Sequence, residues 1–125
     1  MITKPRPTIV VLCGSTRFGN FFHEANLRLT LAGEIVLSIG CDTKNDTDIA
    51  AAGGFGYDVD QAKAGLDELH LRKIDLADYV LVVSDETGYF GASTRREIEY
   101  ALANGKPVAY VHETAEQRAW LEVAR

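Results

Sequence analysis

The chain alternates between short apolar runs and longer stretches in which apolar residues return every third or fourth position. Thr8 to Leu12 reads Thr-Ile-Val-Val-Leu. A continuous, β-branched run of this kind suits a strand buried on both faces of a parallel sheet. Gly14-Ser15-Thr16 breaks the run, and the period then changes: Phe18, Phe21, Phe22, Ala25, Leu29 and Ala32 follow the helical template, with Gly33 where a helix ends. Glu34 to Ile39 predicts a second strand, stopped by Gly40. Leu66, His70, Ile74 and Ala77 form one stripe of a helix over 66–77, and Tyr79 to Val83 (Tyr-Val-Leu-Val-Val) predicts a third strand. Ser93 to Asn104 predicts a helix closed by Gly105, Pro107 to Val111 a fourth strand, and Ala115 to Val123 a terminal helix. From Cys41 to Gly65 the periodicity weakens. That stretch carries Gly53, Gly54 and Gly56 among five aspartates (Asp42, Asp46, Asp48, Asp58, Asp60). Its length marks it as a functional loop, or as a connection holding a short helix around Asp48 to Ala52.

Strands that alternate with helices imply a parallel sheet with right-handed crossovers, covered on both faces. The expectation is a single Rossmann-like α/β domain over residues 1–125, a three-layer sandwich with a parallel sheet of four strands in the order 2-1-3-4. In that order the direction of winding switches between strands 1 and 3, and ligands bind just beyond the carboxyl ends of the strands flanking such a point. Two loops should meet there: Cys13 to Arg17 and Ser84 to Arg95.

Composition narrows the ligand. With 46% apolar and 25% charged residues and a net charge of −5, the chain has the balance of a soluble globular protein and no broad attraction for nucleic-acid polymers or anionic membranes. No stretch approaches the roughly 20 apolar residues of a membrane span, and Met1 to Pro7 runs straight into a strand pattern rather than a signal peptide. Cys13 and Cys41 end apolar runs and form no disulfide framework. The three histidines, His23, His70 and His112, are scattered in sequence. The reading is therefore cytoplasmic, with neither metal nor cofactor called for.

The first loop can bind an anion. Gly14 allows close backbone approach, the helix start offers N–H groups, Ser15 and Thr16 add hydroxyls, and Arg17 adds a guanidinium suited to phosphate. Helix capping by Ser15 or Thr16, with a solvated Arg17, is the structural alternative. In the second loop Gly88 and Gly91 flank Tyr89 and Phe90, which can stack on a planar base, and Ser93 and Arg95 stand at the next helix start. Glu97, placed in that helix's first turn, is favoured as an anion and suits nucleophilic attack on an anomeric carbon. Thr94-x-x-Glu97 is equally the pattern of a capping box, which would give the carboxylate a purely structural task. Glu99 reads as solvent-facing. His70 is a core residue or, if near the strand ends, an acid or hydrogen-bond donor to the sugar or base. Lys73 is an anion ligand or a surface residue. Asp75 is a local ion-pair partner, and Asp78, at the amino end of strand 3, is structural.

Three segments together resemble the nucleoside 2-deoxyribosyltransferase superfamily, which includes the nucleoside 5′-monophosphate N-glycosidases: Val11-Leu12-Cys13-Gly14-Ser15-Thr16-Arg17, Leu69 through Asp78, and Gly91 through Val108 with its Arg96-Glu97-Ile98-Glu99-Tyr100-Ala101. The resemblance implies a flavodoxin-like sheet, a homodimer or larger homo-oligomer with sites at subunit interfaces, and a double displacement in which Glu97 attacks C1′. It also implies that Ser15 to Arg17 lie beside the sugar and phosphate of a nucleoside or nucleotide. Two positions depart from the family: Val11 stands where transferases often carry a tyrosine, and His70 where they carry an aspartate thought to assist the leaving base. A non-catalytic nucleotide-sensing module on the same fold is the alternative.

Overall fold

The computed structural model describes residues 5–38 and 59–112. The helices expected around 48–52 and over 115–123, Cys41 and the five aspartates other than Asp60 lie outside the described residues. Four strands appear: β1 (Ile9–Cys13), β2 (Ile35–Leu37), β3 (Tyr79–Val82) and β4 (Val108–Tyr110). They pair in parallel in the order β2-β1-β3-β4, with Val11 opposite both Leu37 and Val80, and Val82 opposite both Cys13 and Tyr110. The expected doubly wound α/β topology is present.

Both faces of this sheet are apolar because every residue of the central strands meets a helix. Val11, Cys13, Val80 and Val82 pack with Val108 against Ile74, Ala77, Ile98 and Ala101. Ile74 lies on α2 (Val59–Leu76), Ala77 just beyond its end, and Ile98 and Ala101 on α3 (Ala92–Ala103). Val10, Leu12 and Val83 point the other way, onto Ala25, Phe21, Phe22 and Leu29 of α1 (Gly19–Leu31). The result is three layers. Leu12, Ile74 and Ile98 are wholly buried, and each such side chain contributes about 1.5–3 kcal/mol.

Three helix starts differ from the sequence reading. Thr16–Phe18 forms a 3-10 turn, and α1 starts only at Gly19. Helix α2 begins at Val59 rather than Leu66. Gln61, Ala62, Lys63 and Ala64 are good helix formers, and the single Gly65 costs only about 1 kcal/mol, too little to end a helix whose neighbours favour it. Helix α3 begins at Ala92, with Gly91 in extended conformation as its N-cap. That shift of one residue decides the geometry of Glu97.

Candidate functional site

The carboxyl ends of β1 and β3 are held together at Gly14. Val83 N–H donates to Cys13 C=O at 2.8 Å, continuing the ladder beyond β3. Gly14 then turns away at φ 151°, a backbone conformation that L side chains avoid. A Cβ at this position would run into the carbonyl oxygen of Val83 and lie 3.2 Å from the Phe22 ring. Only glycine lets the first loop cross so close to the end of β3. The second loop turns at Gly88 (φ 74°), whose N–H donates to Asp85 C=O at 3.0 Å.

Beyond this junction opens a cleft of about 370 Å³ lined by Gly14, Ser15 and Thr16 on one side and Gly91, Ala92, Ser93, Thr94 and Glu97 on the other, with Lys63 and Asp67 contributed by α2. A second hollow of about 380 Å³ adjoins it and shares Asp67, Ser93 and Glu97, adding Arg96 and Tyr100. The two expected loops therefore do meet. Five of the expected binding residues (Gly14, Ser15, Thr16, Gly91, Ser93) and Glu97 border one space. Ser15 plays both parts considered for it: it lines the cleft, and its hydroxyl accepts from Arg17 N–H at 3.4 Å, capping the 3-10 turn.

Glu97 departs from both sequence expectations about its helix. Because α3 starts at Ala92, Glu97 is its sixth residue and no acidic side chain occupies the first turn. The placement in the first turn is thus corrected, and the dipole argument that rested on it weakens, since the field falls off within one turn. The capping box fails for the same reason. Thr94 lies inside the helix, and Gly91, which has no side chain to cap with, is the N-cap. Ser93 and Thr94 remain in the first turn, so their N–H groups belong to the set that lacks intrahelical acceptors.

His70 stands behind Glu97 rather than in front of it. It is 3% exposed and does not border the cleft. Its Nε2 lies 3.6 Å from Glu97 Oε2 and 3.3 Å from Cys13 Sγ. The side chain thus contacts the Glu97 carboxylate and the Cys13 sulfur from the buried side. The scattering of soft ligands also fails to carry over from sequence to space: Sγ of Cys13, the His70 ring nitrogen and a Glu97 oxygen lie within 4.8 Å of one another.

Arg17 and Arg95 lie outside the cleft wall. The Arg17 guanidinium sits 4.7 Å from the Tyr89 ring centroid and that of Arg95 5.9 Å from Phe90. The two aromatic residues expected to receive a base are thus engaged with cations, and Phe90 packs on Tyr110 as well. The Lys73 amine donates to Ser38 C=O at 2.6 Å. Asp75 accepts from Tyr100 Oη at 2.6 Å and pairs with Arg72 at 2.9 Å; the bond to Asp75 raises the Tyr100 hydroxyl above its usual range. Asp78, at the amino end of β3 and so at the other end of the strands from the cleft, accepts two bonds from Arg6 and one from Ile9 N–H. These hold its carboxyl well below the usual range.

Lys63 precedes the helix expected over 66–77, and Asp67 lies within it without belonging to the stripe of Leu66, His70, Ile74 and Ala77. A signal was present: Lys63, Asp67, His70 and Ile74 continue one stripe at spacings of four, three and four.

The fold and the cleft define a doubly wound α/β protein with a site at its topological switch point, where Glu97 and Asp67 share a cleft with a glycine turn and two helix starts. No protein-family model matches the chain, and no curated protein matches it.

Proposed function

We propose that the protein cleaves the N-glycosidic bond of a nucleoside or nucleotide, with Glu97 as the nucleophile. One observation carries this reading: the Glu97 carboxylate borders the cleft formed with Gly14, Ser15 and Thr16. The resemblance of three segments to the nucleoside 2-deoxyribosyltransferase superfamily supports it. In the proposed reaction a Glu97 oxygen forms a bond to C1′ as the bond to the base nitrogen breaks, and the base leaves with the bonding pair and takes up a proton. Water then adds to C1′, releases the carboxylate and gives the free sugar or sugar phosphate. His70, fixed between Cys13 and Glu97, holds the carboxylate in place from the buried side. Ser15, Thr16 and Ser93, with the first N–H groups of α3, suit a phosphate, which favours nucleotide over nucleoside and hydrolysis over transfer. On this reading the protein is cytoplasmic and works as a homo-oligomer.

Incubation with a panel of nucleosides and nucleoside 5′-monophosphates, followed by chromatography for free base, tests the proposal. Base release is expected to fall at least roughly 10⁴-fold in Glu97→Ala, the scale of losing a nucleophile in covalent catalysis, and to persist in Glu99→Ala. Binding of a nucleotide without release of base across the panel would replace the enzyme with a nucleotide-sensing module.

A further inference from the structure

The buried wall behind the cleft holds a group that base cleavage does not require in full. A carboxylate nucleophile needs one neighbour to orient it. Here it has an imidazole and, past the imidazole, a thiol at the end of β1. Cys13 and His70 are both buried, and the same imidazole nitrogen, Nε2, faces both the sulfur and the carboxylate.

We infer that Cys13 Sγ, His70 Nε2 and a Glu97 carboxylate oxygen form a binding site for a borderline-soft divalent cation of the zinc type. The separations fit. Zinc bonds of about 2.3 Å to sulfur and about 2.0–2.1 Å to nitrogen and oxygen at tetrahedral angles place ligand atoms roughly 3.3–3.6 Å apart. The sulfur-to-nitrogen and nitrogen-to-oxygen distances here are 3.3 Å and 3.6 Å. The third edge lies within 4.8 Å, and the Glu97 side chain, 15% exposed, borders open space in which to swing. The ligand chemistry selects the ion: thiolate with imidazole favours zinc or cobalt over magnesium or calcium, which take oxygen ligands. Three protein ligands leave a fourth position for water or a small anion. On binding, Cys13 gives up its proton to solvent and the sulfur lone pair takes the metal.

This site goes beyond the proposed glycosidase and competes with it, because a metal-bound carboxylate is withdrawn from attack on C1′. Zinc is therefore expected to suppress base release.

Cobalt(II) titration of the full chain, reduced and freed of metal by a chelator, tests the site without reference to activity. The expected result is a thiolate-to-cobalt charge-transfer band with the strong visible bands of four-coordinate cobalt, saturating at one ion per chain and bleached by zinc. The chain has a second cysteine, so Cys41→Ser is the control and is expected to keep the band. Cys13→Ser is expected to abolish it. Glu97→Gln is expected to weaken cobalt binding by at least the roughly 100-fold that loss of an outer partner costs a metal site. A wild-type protein without the charge-transfer band, or a band that survives Cys13→Ser and vanishes in Cys41→Ser, overturns the inference. If Cys13→Ser fails to fold, as judged by circular dichroism, Glu97→Gln decides: unchanged cobalt affinity refutes the site. Base release measured in chelator addresses the glycosidase alone, so the two proposals fail separately.

Discussion

Replacing Gly14 by alanine introduces a single methyl group at the point where the two site loops touch. Two costs arise. The backbone at φ 151° is held where an L residue is strained, which costs about 1–3 kcal/mol. The new Cβ also meets the Val83 carbonyl oxygen, a backbone atom that cannot turn aside, and approaches the Phe22 ring at 3.2 Å; overpacking of this kind costs about 1–3 kcal/mol. Taking the low end of each gives at least about 2 kcal/mol of lost stability. With a urea slope of about 1.5 kcal/mol/M, the midpoint of unfolding is expected to fall by about 1 M or more. Urea denaturation followed by circular dichroism measures this directly. The same variant moves the Gly14–Thr16 wall away from Glu97, so base release is expected to fall as well. A midpoint within about 0.3 M of wild type, on an unchanged slope, would mean that the first loop does not cross β3 as described, and the cleft geometry would fall with it.

Further outcomes follow from the same packing. Gly65→Ala, in an exposed part of α2 with no atom within 4 Å of the new methyl, is expected to stabilise the fold by about 0.5–1 kcal/mol; no gain in the urea midpoint would count against helix at this position. Asp78→Asn is expected to lower stability at neutral pH and flatten its acid dependence. The carboxyl is depressed in the fold by Arg6 and Ile9 N–H, so its contribution is present above the ordinary carboxylate range and disappears as the pH falls below it; urea midpoints across an acid series read this out. Burial, reinforced by its bond to Glu34, raises the Tyr79 hydroxyl to about 12. The unfolded chain releases that proton first, so stability is expected to decline as pH rises from 10.0 toward about 12. Tyr79→Phe should flatten this limb, and an unchanged alkaline profile would contradict the assignment.

Much of the fold was readable because its signals are local. Val10, Val11 and Leu12 are β-branched or apolar without interruption, and they are wholly buried on both faces of the sheet. The glycines after α1 and α3 stand where these helices stop. Gly14 could be singled out from its place between a strand and a helix start. The helix of His70 is legible in its second half but not its first, because the apolar periodicity that marks it weakens before Leu66. Arg17 and Arg95 suit phosphate by residue type and by their place at helix starts. Whether a guanidinium faces a cleft or an aromatic ring depends on where Tyr89 and Phe90 come to rest, and no spacing along the chain reveals that.

By itself the sequence determined the alternation of strand and helix, the parallel order β2-β1-β3-β4 and the pair of loops that had to meet, since hydrophobic period and crossover rules act on consecutive segments. Tertiary structure alone decided where Glu97 lies, on the wall of the cleft with Gly14, Ser15 and Thr16. Its local pattern is that of a cap, and only the start of α3 at Ala92 removes it from that task. Tertiary structure also brought His70 to Cys13 across 57 positions and aimed both at the same carboxylate. Such contacts are set by the register of β1 against β3 and the packing of α2 on that face. They arise from burying apolar surface far from the residues concerned, and so leave no periodic trace in the residues themselves.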